Sequence, residues 1–175
     1  MSGFSRSGRW VASSVTEEDI TKLRAARYLT PEIFHRLPAE RQVIPTPKFG
    51  ERVVFVSHFL HGLGFALNPF VRGLMFYYGL DFHDLAPDSI LLISAFIVMC
   101  EAFLRTPPHF DLWLKTFDVS PRVIEGEQAE CGSVVINKLA SAVWFEGSFA
   151  ESSELWKQRW FYVNELRGSK WVATP

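Results

Sequence analysis

The stretch from Ile90 to Cys100 constrains this chain more than any other feature. It is apolar at almost every position, follows Pro87 and ends at Glu101. A membrane span needs roughly 20 apolar residues, and this run is shorter. A helix hydrophobic on all sides belongs inside a protein, covered by its neighbours. The reading is therefore a helix from Pro87 to about Leu104 at the centre of the molecule, with the remaining elements arranged around it. At 175 residues the chain fits one domain and can bury a sizeable core. Aromatic residues make up 15% of it, mostly Phe, so that core should be dense and rigid.

Punctuation along the chain supports a mainly helical arrangement. Thr16 followed by Glu17, Glu18 and Asp19 is a capping-box-like start, with acids at the positive end of the helix dipole; it predicts a helix over 17–29. Thr30-Pro31 predicts a short helical turn through Phe34 and Leu37. Pro38, Pro45 and Pro47 then demand an extended connection. Val53 to Val56 fits either a strand or a buried extended segment. Asn68-Pro69 is an N-cap and first-position pair, and Gly79 supplies the matching C-cap. Thr106-Pro107 restarts a helix carrying Phe110, Trp113, Leu114 and Phe117. Beyond Pro121 the β-prone runs Val134–Ile136, Val143–Phe145 and Trp156–Val163 predict a small antiparallel sheet. The expected fold is α+β: a mainly helical bundle around a central apolar helix, with a small C-terminal antiparallel sheet. Its boundaries are a disordered tail over 1–14, one globular domain over 15–166 and a second tail over 167–175.

Charge and cysteine content narrow the classes of function. Lys plus Arg number 18 and Asp plus Glu 19, so no global positive field draws the chain onto nucleic acid. Two cysteines make no disulfide framework, and Cys100 reads as a small buried hydrophobe. A reducing, intracellular compartment follows, with nucleus and cytoplasm not distinguished, and no membrane is implied.

Catalytic signatures are missing. The chain has no phosphate loop and no G-x-S-x-G elbow, and Gly62 with Gly64 is a G-x-G lacking its third glycine. His58 and His61 fall on one helix face, but nothing fixes two further zinc ligands. Cys100 beside Glu101 lacks the positive surroundings of a nucleophile, and Glu101 asks for a partner such as Arg72 or Arg105. Asp81, Asp84 and Asp88 bracket a helix start, where caps account for them. No catalytic, metal or cofactor residue is assigned, and no small-molecule substrate. One local pattern remains: Lys157, Arg159, Trp160 and Tyr162 interleave bases and aromatics as nucleic-acid surfaces do. A strand buried on one face and solvated on the other explains them equally well.

Several blocks, taken in order, resemble a gypsy-type transposon domain family of plant genomes. They are Ser14–Leu29, Glu51–Phe59 with Gly62, Asn68–Leu74, Tyr78-Gly-Leu80, Leu85–Ile90, Cys100–Leu104 and Trp156–Asn164. The resemblance spans roughly residues 14 to 165. Arg105 departs from it, since the family usually places Gly there. The resemblance implies descent from a mobile element and carries over no catalytic residue, so a strand-transfer (transposase) activity is the weakest expectation. The leading expectation is a non-catalytic interaction or assembly domain with a protein partner or a second copy. An accessory nucleic-acid-binding domain is the alternative.

Overall fold

The computed structural model describes residues 8–65, 67–143, 145 and 154–165. Helix α1 (Glu17–Ala25) starts at the expected capping box, with Asp19 N–H on Thr16 Oγ1 and Thr16 N–H on the Asp19 carboxylate. Strands β1 (Ile33–Arg36) and β2 (Arg52–Phe55) follow, then the short α2 (Val56–Leu60) and α3 (Pro69–Tyr78). Asn68 caps α3 through Phe70 N–H, and Gly79 closes it in the left-handed region at φ 65°. A 3-10 turn (Phe82–Asp84) leads into α4 (Pro87–Val98), which runs on as a π turn over Met99–Phe103. After α5 (Phe110–Thr116) come β3 (Phe117–Pro121), the hairpin β4 (Val123–Ile124) and β5 (Glu127–Gln128), and β6 (Val134–Lys138). A 3-10 turn (Glu154–Gln158) delivers β7 (Trp160–Glu165).

This architecture corrects the expected helical bundle. Among the described residues 38% are helical and 19% are in strands, divided over five short helices and three small sheets, so the fold is mixed α/β. The main sheet has the order β1-β7-β2, antiparallel throughout, with Phe34 opposite Asn164 and Val54 opposite Phe161. The C-terminal strand therefore does not pair with its sequence neighbours. It inserts between two strands from the first third of the chain, while β6 pairs with β3. β1 lies where a helical turn was expected. Val143 is in no strand, Phe145 is buried without being part of one, and Trp156 and Lys157 lie in the 3-10 turn.

Alternation along the main sheet sorts its side chains onto two cores. Val54, Phe161, Val163 and Ile33 join the large cluster that includes Phe59, Phe82, Phe96 and Trp113. Val53, Phe55, Trp160 and Tyr162 point the other way, into a smaller cluster with Ala86, Cys131 and Trp156. The sheet is thus covered on both faces.

Helix α4 is likewise not the covered centre. Its buried stripe is Pro87, Ser89, Ile90, Ile93 and Phe96, continued by Cys100 in the π turn. On the opposite side Leu91, Leu92, Ser94 and Ile97 are half-buried, and Val98 is exposed. α2 reaches the helix across Gly62, which stands at φ 103°, and a Cβ there would meet Ser94 Oγ at 2.6 Å. Only glycine allows that approach.

Part of the expected disordered N-terminal tail belongs to the folded structure. Residues 8–14 pack on the domain: Ser14 N–H donates to Gln158 O, Trp160 Nε1–H to Val11 O at 2.8 Å, and the Trp10 ring stacks on Phe55. Residues 1–7 and the expected tail over 167–175 lie outside the described residues.

Candidate interaction surface

The four basic and aromatic residues singled out in the sequence do not form an open stacking surface. Trp160 and Tyr162 have 0% exposure, because β7 is the central strand and both its faces meet apolar clusters. The Tyr162 hydroxyl accepts from Thr46 N–H at 2.8 Å and from Gln42, fastening the proline-rich connection onto the sheet. Arg36 lies over its ring, 3.7 Å from the centroid, and pairs with Glu51. Lys157 is only 8% exposed, with Nζ 5.8 Å from the Trp156 ring centroid. Arg159 donates to Asp19, tying β7 to α1. A ring without exposed surface cannot stack on a base.

Most of the titratable groups weighed for chemistry are engaged by neighbouring groups in the fold. His58 is fully buried; its Nε2–H donates to Leu85 O at 2.8 Å, and Phe55 N–H faces Nδ1 at 3.5 Å. Burial lowers its pKa to about 4, so the ring is neutral. His61 donates from Nδ1 to Ser57 O, away from any shared site with His58. Burial pushes the Cys100 thiol up and the Cys131 thiol to about 11. Glu101 is exposed and accepts from Asn68 Nδ2 at 3.2 Å, so no buried charge had to be compensated. Asp81 takes Arg52 and Phe82 N–H, and Asp84 takes Asp81 N–H and Ser133 Oγ. No group of three or more His, Cys, Asp or Glu among the described residues could hold a metal ion. No helix among them is long and apolar enough to cross a membrane.

What sequence reasoning missed is the outer side of α4. Val98 is 54% exposed, Phe103 78%, Leu104 51% and Leu60 at the end of α2 62%. At Val98 a cleft of about 240 Å³ opens between α3, α4 and the connection that follows α2, lined by Leu63, Leu67, Val71, Ile93, Ile97 and Val98. Within the π turn Cys100 is buried, while Phe103 and the following Leu104 stand in solvent. The signal was present in the sequence: a uniformly apolar helix is as consistent with a helix that meets a partner as with one at the centre of a core.

The part of the chain that resembles other proteins includes α3, α4 and α5. Residues 53–121 match the family model described as "putative gypsy type transposon". The matched segment runs from β2 through β3 and includes Val98, Glu101 and Arg105. The resembling blocks at Ser14–Leu29 and Trp156–Asn164 lie outside the matched residues. No curated protein and no solved structure matches the chain.

Proposed function

We propose that this chain is a non-catalytic assembly domain of a plant transposon-derived protein, associating with a second copy of itself through the outer face of α4. The observation that carries the reading is the most apolar helix of the chain turning Val98, with Phe103 and Leu104 beyond it, to solvent beside an apolar cleft. Glu101 and Arg105 bracket the exposed Phe103 and Leu104 with opposite charges. An isologous contact needs a surface complementary to itself, and an apolar centre flanked by one acid and one base meets that requirement. The neutral, doubly engaged His58 and the raised thiols support a non-catalytic role. The burial of Trp160 and Tyr162 supports protein association over nucleic-acid binding.

Sedimentation velocity over a concentration series from low micromolar to submillimolar tests the reading. The expected result is a reversible dimer that the double substitution Val98→Asp, Phe103→Asp converts to a monomer with unchanged circular dichroism. Both side chains are more than half exposed, so the variant should fold. A wild-type chain that stays monomeric throughout overturns the assignment. So does a dimer indifferent to the two substitutions.

A further inference from the structure

The geometry points to a second binding site, adjoining the α4 cleft across Leu67: the cleft at the C-terminal end of α3, which takes an extended peptide segment offering one bulky apolar side chain and a neighbouring main-chain carbonyl. The cleft holds about 320 Å³ and is walled by Leu67, Met75, Phe76, Leu80 and Phe82, with Arg52 at its mouth. It forms because Gly79 turns the chain out of α3 in the left-handed conformation and the next residues return along β2 into the 3-10 turn. Phe76 stands at the lip and is 57% exposed, so an occupant would cover it.

Size and polarity together select the ligand class. Small-molecule and cofactor sites span roughly 300–1,000 Å³ and orient their ligand with several converging polar groups. This cleft lies at the small end of that range, room for one large side chain, and its polar residues are a single ion pair. Arg52 Nη1 donates to Asp81 Oδ2 at 2.7 Å, and Asp81 Oδ1 already accepts from Phe82 N–H at 2.7 Å. The acidic partner is thereby engaged at both oxygens. Arg52 is not: among the described residues its other guanidinium N–H groups have no protein acceptor, and its side chain is 32% exposed. What the site offers is an apolar socket beside a guanidinium with N–H groups to spare.

The charge at the mouth decides between acceptors. Asp81 neutralises the guanidinium at contact distance, so an incoming carboxylate would meet its repulsion as well as the attraction of Arg52. A main-chain carbonyl accepts the same N–H groups without that repulsion. A peptide places such a carbonyl beside every side chain, which is the combination the cleft fits.

The test is a titration of the full-length, ¹⁵N-labelled chain with three probes: N-acetyl-phenylalanine methylamide, N-acetyl-alanine methylamide and N-acetyl-phenylalanine as its free acid. The expected result is saturable shifts of the Gly79–Phe82 amides with the first probe, and binding at least about tenfold weaker for the alanine probe. Arg52→Gln should weaken the first probe about tenfold. Phe76→Ala, which removes a mostly solvated ring and leaves the core intact, should weaken it as well. Unmoved Gly79–Phe82 amides overturn the site, as does wild-type affinity in both variants. Tighter binding of the free acid overturns the peptide assignment. The α4 double variant leaves this cleft untouched, so the two proposals fail or stand separately.

Discussion

A histidine buried with one ring nitrogen donating to a carbonyl and the other facing a backbone N–H can take up a proton only by losing an interaction. His58 is in that position, between Leu85 O and Phe55 N–H, and desolvation lowers its pKa from 6.5 to about 4. The sign of the linkage follows directly. Below pH 6.5 the unfolded chain binds this proton and the folded chain does not. The stability contributed by neutral His58 is therefore full above pH 6.5 and is lost as pH falls toward 4. Between pH 7.5 and pH 5 the expected loss is about 2 kcal/mol, at 1.36 kcal/mol per pH unit. Urea unfolding of wild type and His58→Gln at both pH values checks it, because the variant should lack this share of the pH dependence whatever its absolute stability. An identical pH dependence in the two proteins would remove His58 as its source. The sequence marked His58 as chemically notable through the H-x-x-H spacing. It could not show that Leu85, 27 positions away, supplies the acceptor.

Elements were legible in proportion to how local their determinants are. The start of α1 and both ends of α3 were set by Thr16, Asn68-Pro69 and Gly79, which act within one turn. The main sheet was illegible for the opposite reason: β1 and β7 are separated by most of the chain, and four-residue strands such as Ile33–Arg36 carry too short a pattern to outweigh a Thr-Pro helix signal. β7 misled because Trp160–Val163 are buried on both faces, so alternation of basic and aromatic residues around them did not mean one wet side. The outer side of α4 was missed because apolarity alone does not say which neighbour covers it. The end of that helix carries its own prediction. Arg105 stands at φ 54°, where Thr106 N–H returns to Cys100 O in a Schellman-like closure. This is the position at which the resembling family usually places glycine, and the left-handed conformation gives that preference a physical cause. Arg105→Gly should stabilise the chain by up to about 1 kcal/mol, read as a higher urea midpoint with unchanged slope. A lower midpoint would mean that the arginine side chain compensates its backbone strain.

For the whole molecule, the segment before α1 belongs to the structure that makes the central sheet stable. The smaller apolar cluster consists of Val53, Phe55, Ala86, Cys131, Trp156, Trp160 and Tyr162, and Trp10 packs against it, stacked 5.8 Å from Phe55 and edge-on to Trp160. Backbone bonds on both sides hold the segment in place. Gly8 O accepts from Glu130 N–H and Cys131 N–H, and Ser13 Oγ donates to Trp160 O. The buried Trp160 indole N–H depends on Val11 O for its acceptor. Without residues 8–14, that donor loses its partner inside an apolar cluster, at a cost of about 1–3 kcal/mol, and one face of Phe55 opens to water. Loss of the half-buried Trp10 ring adds roughly 1–2 kcal/mol of apolar burial. A chain beginning at Val15 should therefore unfold at a clearly lower urea concentration than the full chain, and Trp10→Ala alone should account for about half of the difference. Because the segment touches β2, β7 and the β5–β6 connection, its loss should also speed amide exchange at Phe55 and Trp160, in the sheet, ahead of α3 and α4. An unchanged midpoint in the shortened chain would mean that the sheet and its smaller core are self-sufficient and that residues 8–14 merely rest on them.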